Sequence, residues 1–210
     1  MKAIVFVDVQ NDFVKGGKLE FNYPEVDNLP QLVEFARQCA SANDCKLYAT
    51  RDTHKKTVFE DAGTFVKFDE YGRVNDVENI NGQPVSGYLA TLEGKKLPVE
   101  HCIRETSGWM VESSLLDVLL GNATFIDKPT FGSYDLVEVI EEDFGKGGPG
   151  EIIICGYDLS ICVLANAVML RAKYPDAKII VKANLCGDVD KESFDAAVKT
   201  LKMQQIDIED

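Results

Sequence analysis

Three residues whose side chains can act together in nucleophilic catalysis stand at or just beyond the ends of short apolar segments of this chain. Asp8 and Lys128 lie near the ends of two such segments, and Cys162 follows a third by a few residues. A thiolate can attack a carbonyl carbon, a carboxylate can take the thiol proton, and an ammonium group can stabilise negative charge. If the three side chains meet, the chemistry they offer is acyl transfer. Taken singly, each has an ordinary structural explanation: a cap, a solvated strand end or a small buried thiol.

Cys162 has a setting that the other cysteines lack. It lies near the start of "SICVLANAVMLRAKY" (160–174), where apolar residues recur at helical spacing. A thiol in the first turn of a helix feels the positive end of the helix dipole, which lowers its pKa and favours the thiolate. The backbone N–H groups there could also hold an oxyanion. Cys155 and Cys39 are expected in the core, and Cys186, which follows another apolar segment, is an alternative candidate.

The two histidines of the chain suggest a second chemistry, metal binding. In "RDTH", Asp52 stands two residues before His54, so in an extended segment both side chains point the same way and could reach one ion. His101 follows in "LPVEHC", and Glu93 is a further oxygen donor nearby in sequence. A carboxylate with two imidazoles suits Zn²⁺ or another divalent transition metal. The alternative is that both histidines are structural.

Short apolar segments separated by helix-like stretches indicate how these residues are positioned. Five nearly continuous apolar runs are expected to be strands buried on both faces: residues 3–9, 46–52, 123–128, 151–157 and 178–184. Helical spacing marks residues 28–43, 160–174 and 191–205. Strand–helix alternation predicts an α/β fold, a mainly parallel sheet with helices on both faces. Because ligands bind beyond the carboxyl ends of such strands, we expect the polar residues named above to gather at one edge.

The composition fits one globular domain, 1–210, with a substantial core, since 45% of the 210 residues are hydrophobic. The formal net charge of −13 argues against nucleic acid or an anionic membrane as a partner. The N-terminal segment carries Asp8 and lacks a cleavage pattern, and no run approaches the ~18 apolar residues of a membrane span. We therefore expect a cytoplasmic protein with reduced cysteines and a small-molecule substrate. A homo-oligomer is compatible with its acidic surface.

One long segment, about 59–86, interrupts the strand–helix alternation. Within it, "TFVKFDEYGRVND" alternates around a turn at "EYGR", which is typical of a β-hairpin. Long loops in compact domains are usually functional or disordered. We expect an inserted loop or hairpin that acts as a lid or a subunit contact. The alternative is a solvated excursion without a role.

Five motifs, in chain order, resemble those of the nicotinamidases among the isochorismatase-like cysteine hydrolases. They are "IVFVDVQNDF", "YATRDTH", "LPVEHC", "DKPTFGS" and "GYDLSICVLANA". The resemblance covers residues 2–58 and 88–206. It implies a three-layer α/β/α sandwich around a mainly parallel sheet. It also implies a hydrolase that cleaves nicotinamide, or a related carboxamide, to the acid and ammonia through a cysteine thioester.

The resemblance assigns roles to the residues that could carry this reaction. Asp8, Lys128 and Cys162 match the catalytic residues of the family. The main-chain N–H groups of Asp158 and Cys162 match its oxyanion donors. Phe13 matches the aromatic residue that lines the nicotinamide pocket.

The resemblance also implies a metal site. Asp52, His54 and His101 match ligands of the family, and Glu93 matches a further ligand found in one subgroup of nicotinamidases. The ion would be a divalent metal, with zinc as the first expectation and iron or manganese as alternatives. In nicotinamidases this ion orients the pyridine ring.

One departure from the family pattern lies directly before the nucleophile. The family commonly has Thr-Asp at the third and second positions before it, where this chain has Leu159-Ser160, preceded by Asp158. Asp158 could repel an oxyanion or cap the helix; we expect capping, with Ser160 as the competing cap. Two alternatives to a nicotinamidase therefore stay open, a metal-free cysteine amidohydrolase acting on a carbamoyl or other small amide and an inactive binding homologue. The intact catalytic residues argue against the second.

Overall fold

The computed structural model of the chain describes residues 1–25, 27–59, 78–80 and 83–209. Its strands are β1 (Lys2–Val7), β2 (Cys45–Asp52), β3 (Val58–Phe59), β4 (Glu78–Ile80), β5 (Gln83–Ser86), β6 (Ala123–Lys128), β7 (Glu151–Gly156), β8 (Lys178–Cys186) and β9 (Asp207–Glu209). Its α-helices are α1 (Leu29–Ser41), α2 (Leu92–Lys96), α3 (Ser113–Leu119), α4 (Tyr134–Phe144), α5 (Leu164–Lys173) and α6 (Lys191–Met203). A 3₁₀ turn covers Tyr88–Ala90, and a π-helical turn covers Leu159–Val163.

Six strands form one sheet in the order β6-β2-β1-β7-β8-β9, and every neighbouring pair is parallel. Helix α1 packs against α3, while α5 packs against α4 and α6. Because parallel crossovers are right-handed, α1 and α3 cover one face of the sheet and α4, α5 and α6 cover the other. The predicted three-layer α/β/α fold with a mainly parallel sheet is confirmed.

The apolar runs become the central strands because helices cover both faces of the sheet. In β1, residues 3–7 are all buried, and so are Ile152 and Ile154 in β7. The five predicted strands are confirmed, with ends that differ by two residues or fewer. Strand β9 was not predicted, because "DIE" carries two acids around one apolar residue and pairs at the edge of the sheet.

The register of the sheet aligns the strand ends that carry the polar residues. Asp52 pairs with Lys128 at the ends of β2 and β6, and Val7 pairs with Gly156 at the ends of β1 and β7. Gly156 has a φ of 128°, and a Cβ there would lie 2.1 Å from the Val7 carbonyl oxygen. Glycine is therefore required where β7 passes the end of β1. Asp8, the next residue of the chain, lies at this junction.

Part of the inserted segment forms a second, small sheet. Strands β3, β5 and β4 are antiparallel neighbours in that order. The hairpin predicted around "EYGR" lies outside the described residues. The single domain 1–210 and the role of the 59–86 insertion as a lid or a subunit contact stay predictions. Among the residues that the structure describes, no helix is long and apolar enough to cross a membrane.

Candidate active site

Asp8, Lys128 and Cys162 meet in the interior at the carboxyl edge of the sheet. Lys128 Nζ lies 2.6 Å from Asp8 Oδ2 and 3.4 Å from Cys162 Sγ. The Thr50 hydroxyl donates a hydrogen bond of 2.7 Å to Asp8 Oδ1, and Lys128 donates one of 3.0 Å to the carbonyl oxygen of Thr130. Asp8 and Lys128 are almost fully buried, and Cys162 is 7% exposed. The structure thus brings together the three side chains that the sequence pointed to.

Burial sets the proton affinities of the ion pair. Burial raises the pKa of Asp8, and the opposing attraction of Lys128 does not cancel the effect. Burial lowers the pKa of Lys128, but the charges of Asp8, Cys162 and Asp52 outweigh it and hold the pKa above its usual value. Lys128 therefore stays charged, while Asp8 is a stronger base than an exposed carboxylate. Such a carboxylate suits a group that must accept a proton.

The Cys162 thiol does not have the lowered pKa that its position near a helix start predicts. Burial raises its pKa well above the ordinary value, Lys128 opposes this, and Asp8 adds to it. The dipole argument is wrong here because the loss of solvent around the sulfur dominates. The resting group is a protonated thiol, and Lys128 Nζ contacts both its sulfur and Asp8, the carboxylate predicted to take the proton.

Cys162, the predicted nucleophile, stands on a π-helical turn, Leu159–Val163, that precedes α5. Asp158 is its N-cap, and Asp158 Oδ1 accepts a hydrogen bond of 2.7 Å from the Ile161 N–H. The predicted cap is therefore present. The N–H groups of Leu159 and Ser160 donate to the Gly187 carbonyl oxygen and to Asp188 Oδ2. Within the described part of the chain the Asp158 N–H has no acceptor, which suits the oxyanion role predicted for it.

Asp52, His54, Glu93 and His101 form a four-donor cluster beside the thiol. Their ligand atoms all lie within 4.8 Å of one another. His54 Nε2 lies 2.9 Å from Asp52 Oδ2 and 3.4 Å from Glu93 Oε1, and His101 Nε2 lies 3.3 Å from each of the same oxygens. A tetrahedral ion with bonds of about 2.0–2.1 Å separates its ligand atoms by about 3.3 Å. The spacing and the donor types therefore fit a divalent transition metal.

The surroundings orient the imidazoles toward a common point. His101 Nδ1 donates a hydrogen bond of 2.8 Å to the Val99 carbonyl oxygen, which leaves Nε2 to face the cluster. The Tyr88 ring packs edge-on against both histidines, 4.8 Å from His54 and 5.2 Å from His101. Burial lowers the pKa of both histidines, but hydrogen bonds with Asp52 and Glu93 outweigh it and raise each pKa to about 9. The two carboxylates thus stabilise positive charge at the centre of the cluster.

Cys162 and three residues of the four-donor cluster, Asp52, Glu93 and His101, line one cavity of about 190 Å³. That volume is many times what one water molecule needs and suits a small, single-ring molecule. Its apolar walls include Phe13, whose ring lies 5.6 Å from the His101 ring, and Phe131. Asp158 also lines the cavity. Phe13, predicted from the resemblance as a pocket residue, is thus in the expected place, and its contact with substrate stays a prediction.

Several residues that position the site were not singled out from the sequence. Asn166 Nδ2 donates to the carbonyl oxygens of Cys162 and Phe131, and its Oδ1 accepts from the Ser133 N–H. Asp12 Oδ2 accepts from the Cys102 N–H, next to His101. A polar residue on a helix, or in a loop, carries no local signal of such distant partners. Asp12 stood inside the quoted "QNDF" motif, and its type could have marked it as a buried acceptor.

Solved structures of nicotinamidases share the fold of this chain. A nicotinamidase/pyrazinamidase from Bacillus subtilis is 18% identical, with a TM-score of 0.73, and the match covers 100% of this chain and 99% of that one. A pyrazinamidase from Pyrococcus horikoshii, solved in complex with zinc, is 20% identical, with a TM-score of 0.69 over 99% and 97% of the two chains. The yeast nicotinamidase bound to the inhibitor nicotinaldehyde is 17% identical, with a TM-score of 0.66 over the whole of both chains.

Sequence comparisons assign the family. A comparison with curated protein sequences gives no match. The family model for the isochorismatase domain matches residues 2–210, nearly the whole chain. This match agrees with the order of the five motifs and with the parallel sheet that positions them. The chain belongs to the isochorismatase-domain family.

Proposed function

We propose that this chain is a nicotinamidase-like amidohydrolase that cleaves nicotinamide, or a closely related carboxamide, to the acid and ammonia. One cavity is lined by Cys162, which contacts the buried Asp–Lys pair through Lys128, and by three residues of the four-donor cluster, and this arrangement supports the proposal most directly. The thiol offers a nucleophile for the amide carbon, and the cluster offers a second point of attachment for a ring. A small heteroaromatic amide can use both at once.

In the proposed reaction, Asp8 takes the thiol proton of Cys162 as the sulfur attacks the amide carbon. The carbonyl oxygen becomes an oxyanion that accepts hydrogen bonds from the main-chain N–H groups of Asp158 and Cys162. When the C–N bond breaks, Asp8 gives the proton to the departing amide nitrogen. Ammonia leaves, and a thioester remains on Cys162. Asp8 then takes a proton from water, whose oxygen attacks the thioester carbon, and the acid departs as the thiol recovers its proton. Lys128 offsets the negative charges throughout.

Asp52, His54, Glu93 and His101 would hold the ion in this mechanism, and we propose zinc. Two imidazoles and two carboxylates suit zinc, and also iron or manganese. When bound, the ion supplies a Lewis-acid position that can hold a ring nitrogen of the substrate. The presence of all four donors favours this reading over a metal-free amidohydrolase of the same family.

Ammonia release from nicotinamide by zinc-loaded protein tests the function, with Cys162→Ala as the active-site variant. Cys39→Ala is the matched control, because Cys39 lies on α1 and is not among the residues that line the cavity. We expect turnover in the wild type and the control, and a loss of about 10⁴-fold or more in Cys162→Ala. Equal turnover in the wild type and Cys162→Ala would rule out thioester chemistry. No turnover by protein that binds zinc would exclude nicotinamide and direct the search to other small amides.

A further inference from the structure

The turn that carries Cys162 is held by two carboxyl groups that share one hydroxyl. Ser160 Oγ lies 3.1 Å from Asp158 Oδ1 and 2.9 Å from Asp188 Oδ1. A serine hydroxyl has one proton, so it can donate to one of these oxygens and not to both. If both carboxyl groups were ionised, one oxygen would face the hydroxyl oxygen without a proton between them. The contact pattern is satisfied when one of the two acids carries a proton.

The remaining contacts identify Asp158 as that acid. Both oxygens of Asp188 accept backbone hydrogen bonds, one of 2.9 Å from the Ser160 N–H and one of 2.7 Å from the Val189 N–H. These N–H donors stabilise the ionised form of Asp188. In Asp158, Oδ1 accepts from the Ile161 N–H, but Oδ2 is buried and has no hydrogen-bond partner among the described residues. An ionised carboxylate oxygen in that position would be costly.

We infer that Asp158 is a neutral carboxylic acid in the active protonation state of the enzyme, and that its proton keeps negative charge away from the oxyanion site next to Cys162. The inference rests on the proposed function, in which the Asp158 N–H is an oxyanion donor. Asp158 is a positioning residue in this scheme. Its side chain caps the turn, and because that side chain is neutral it does not repel an oxyanion bound by the Asp158 N–H. An ionised side chain on the same residue would oppose an oxyanion at that N–H.

The charges around Asp158 agree with this assignment. Burial, followed by the nearby charge of Asp188, raises the pKa of Asp158 to about 7. The titratable groups around it come from its own segment, from the loop after β8 and from the walls of the cavity: Tyr157, Cys162, Cys186, Asp188, Glu20, Asp52, Glu93 and His101. In the part of the chain that the structure describes, none of these side chains donates a hydrogen bond to Asp158. A solvent-exposed aspartate would titrate near 4.

Carboxyl ¹³C NMR of protein labelled at the aspartate carboxyl carbons tests the protonation state without any substrate. The signal lost in Asp158→Asn assigns Asp158, and we expect its midpoint near 7. In Ser160→Ala the midpoint should move to lower pH, because the hydroxyl oxygen that accepts the Asp158 proton in the neutral form is lost. This second variant also assigns the signal if Asp158→Asn does not fold. A midpoint near 4 or below would overturn the inference.

The pH dependence of nicotinamide hydrolysis tests the positioning role. With a pKa of about 7, the wild-type rate should fall about 30-fold between about pH 6 and about pH 8.5. Asp158→Asn keeps the cap and cannot ionise, so this alkaline loss should disappear, whereas it should persist in the exposed control Asp195→Asn. An unchanged alkaline loss in Asp158→Asn would overturn the role. If nicotinamide is not hydrolysed at all, the proposed function fails, and the NMR midpoint still decides the protonation of Asp158.

Discussion

Lys128 is a buried ammonium group whose charge is balanced by Asp8 at 2.6 Å, with Asp52 farther away at 3.8 Å. Removing a single partner from a buried pair leaves the other charge uncompensated, which is costlier than removing both. Asp8 and Lys128 are therefore expected to depend on each other for stability as well as for the proposed reaction. Their effects on folding and on catalysis can be separated, because only Asp8 moves the proton in the proposed reaction.

Lys128→Met should lower the free energy of unfolding by about 3–5 kcal/mol, because Asp8 would be left charged or forced to bind a proton in the interior. The double variant Asp8→Asn, Lys128→Met should recover part of this loss. Neither variant should release ammonia from nicotinamide. Urea unfolding and an ammonia assay measure the two effects.

A surface lysine provides the control for this pair. Lys2→Met should lower the free energy of unfolding far less than Lys128→Met, because Lys2 is 43% exposed and its ion pair with Glu151, at 3.2 Å, is screened by solvent. If the double variant were no more stable than Lys128→Met, the buried pair would not be the cause of the destabilisation. Recovery of stability without recovery of activity would assign the two roles separately.

At the scale of elements, the sequence predicts the sheet better than the turns that join it to the site. Apolar runs such as 123–128 mark strands because burial on both faces requires apolar residues throughout. The π-helical turn at Leu159–Val163 has no such signature, and helical spacing alone placed an ordinary helix start there. The raised pKa of Cys162 was missed for the same reason, since burial depends on what packs over the turn. The motifs could predict the candidate site, because the carboxyl ends of parallel strands lie at one edge of the sheet and bring the residues that follow them together.

Gly108 lies where the segment after β1, which holds Asp12, meets the segment before α3. A Cβ at Gly108 would lie 2.2 Å from Asp12 Oδ2, the atom that accepts from the Cys102 N–H at 2.7 Å. Gly108→Ala should therefore displace Asp12 and shift the backbone next to His101. We expect a loss of about 1–3 kcal/mol in stability, as in other overpacked sites, together with weaker zinc binding. Thermal unfolding and a zinc titration measure these effects.

Gly147→Ala is the matched control, because a Cβ there meets no heavy atom within 4 Å. Its stability should change by no more than about 0.5 kcal/mol. If Gly108→Ala bound zinc as tightly as the control, the Asp12 contact would not position His101. A loss of stability alone would show that the loops meet there but that the metal ligands are held by other contacts.

Asn166 links α5, which follows Cys162, to the loop after β6, which follows Lys128. Asn166→Ala would leave the Ser133 N–H and the carbonyl oxygens of Cys162 and Phe131 without this partner. Each buried polar group left unpaired costs about 1–3 kcal/mol. We expect lower stability and a fall in kcat with little change in KM, because the thiol loses its position while the cavity walls remain. The control Asn122→Ala, at an exposed residue, should change neither stability nor kcat. A change in KM without a fall in kcat in Asn166→Ala would contradict the positioning argument.

At the scale of the whole molecule, the candidate site draws on segments that are far apart in sequence. Asp52 is the last residue of β2 and His54 follows it by two residues, while Glu93 and His101 come from the region after the small sheet. An ion bound by all four would tie these regions together. The formal net charge of −13 also favours cations around the protein. Metal binding should therefore stabilise the fold as a whole and not only the site.

Zinc at about 100 times its Kd should raise the free energy of unfolding by about 2.7 kcal/mol. For a chain of this length, that corresponds to a rise in Tm of about 5–10 °C. His54 and His101 must be neutral to bind zinc, and the pKa of each is raised to about 9. Protons therefore compete with the ion below that pH, so the zinc-induced rise in Tm should grow as the pH increases toward 9. Differential scanning calorimetry at several pH values measures it.

Glu93→Gln separates metal binding from a general effect of cations on an acidic protein. The amide keeps the size of the side chain but removes a charged ligand, so the zinc-induced rise in Tm should shrink. Glu34→Gln, on the surface of α1, removes the same charge far from the cluster and should leave the rise unchanged. An equal rise in both variants would mean that zinc acts through the overall charge. A smaller rise in Glu93→Gln alone would place the ion among the four donors and tie stability to the proposed site.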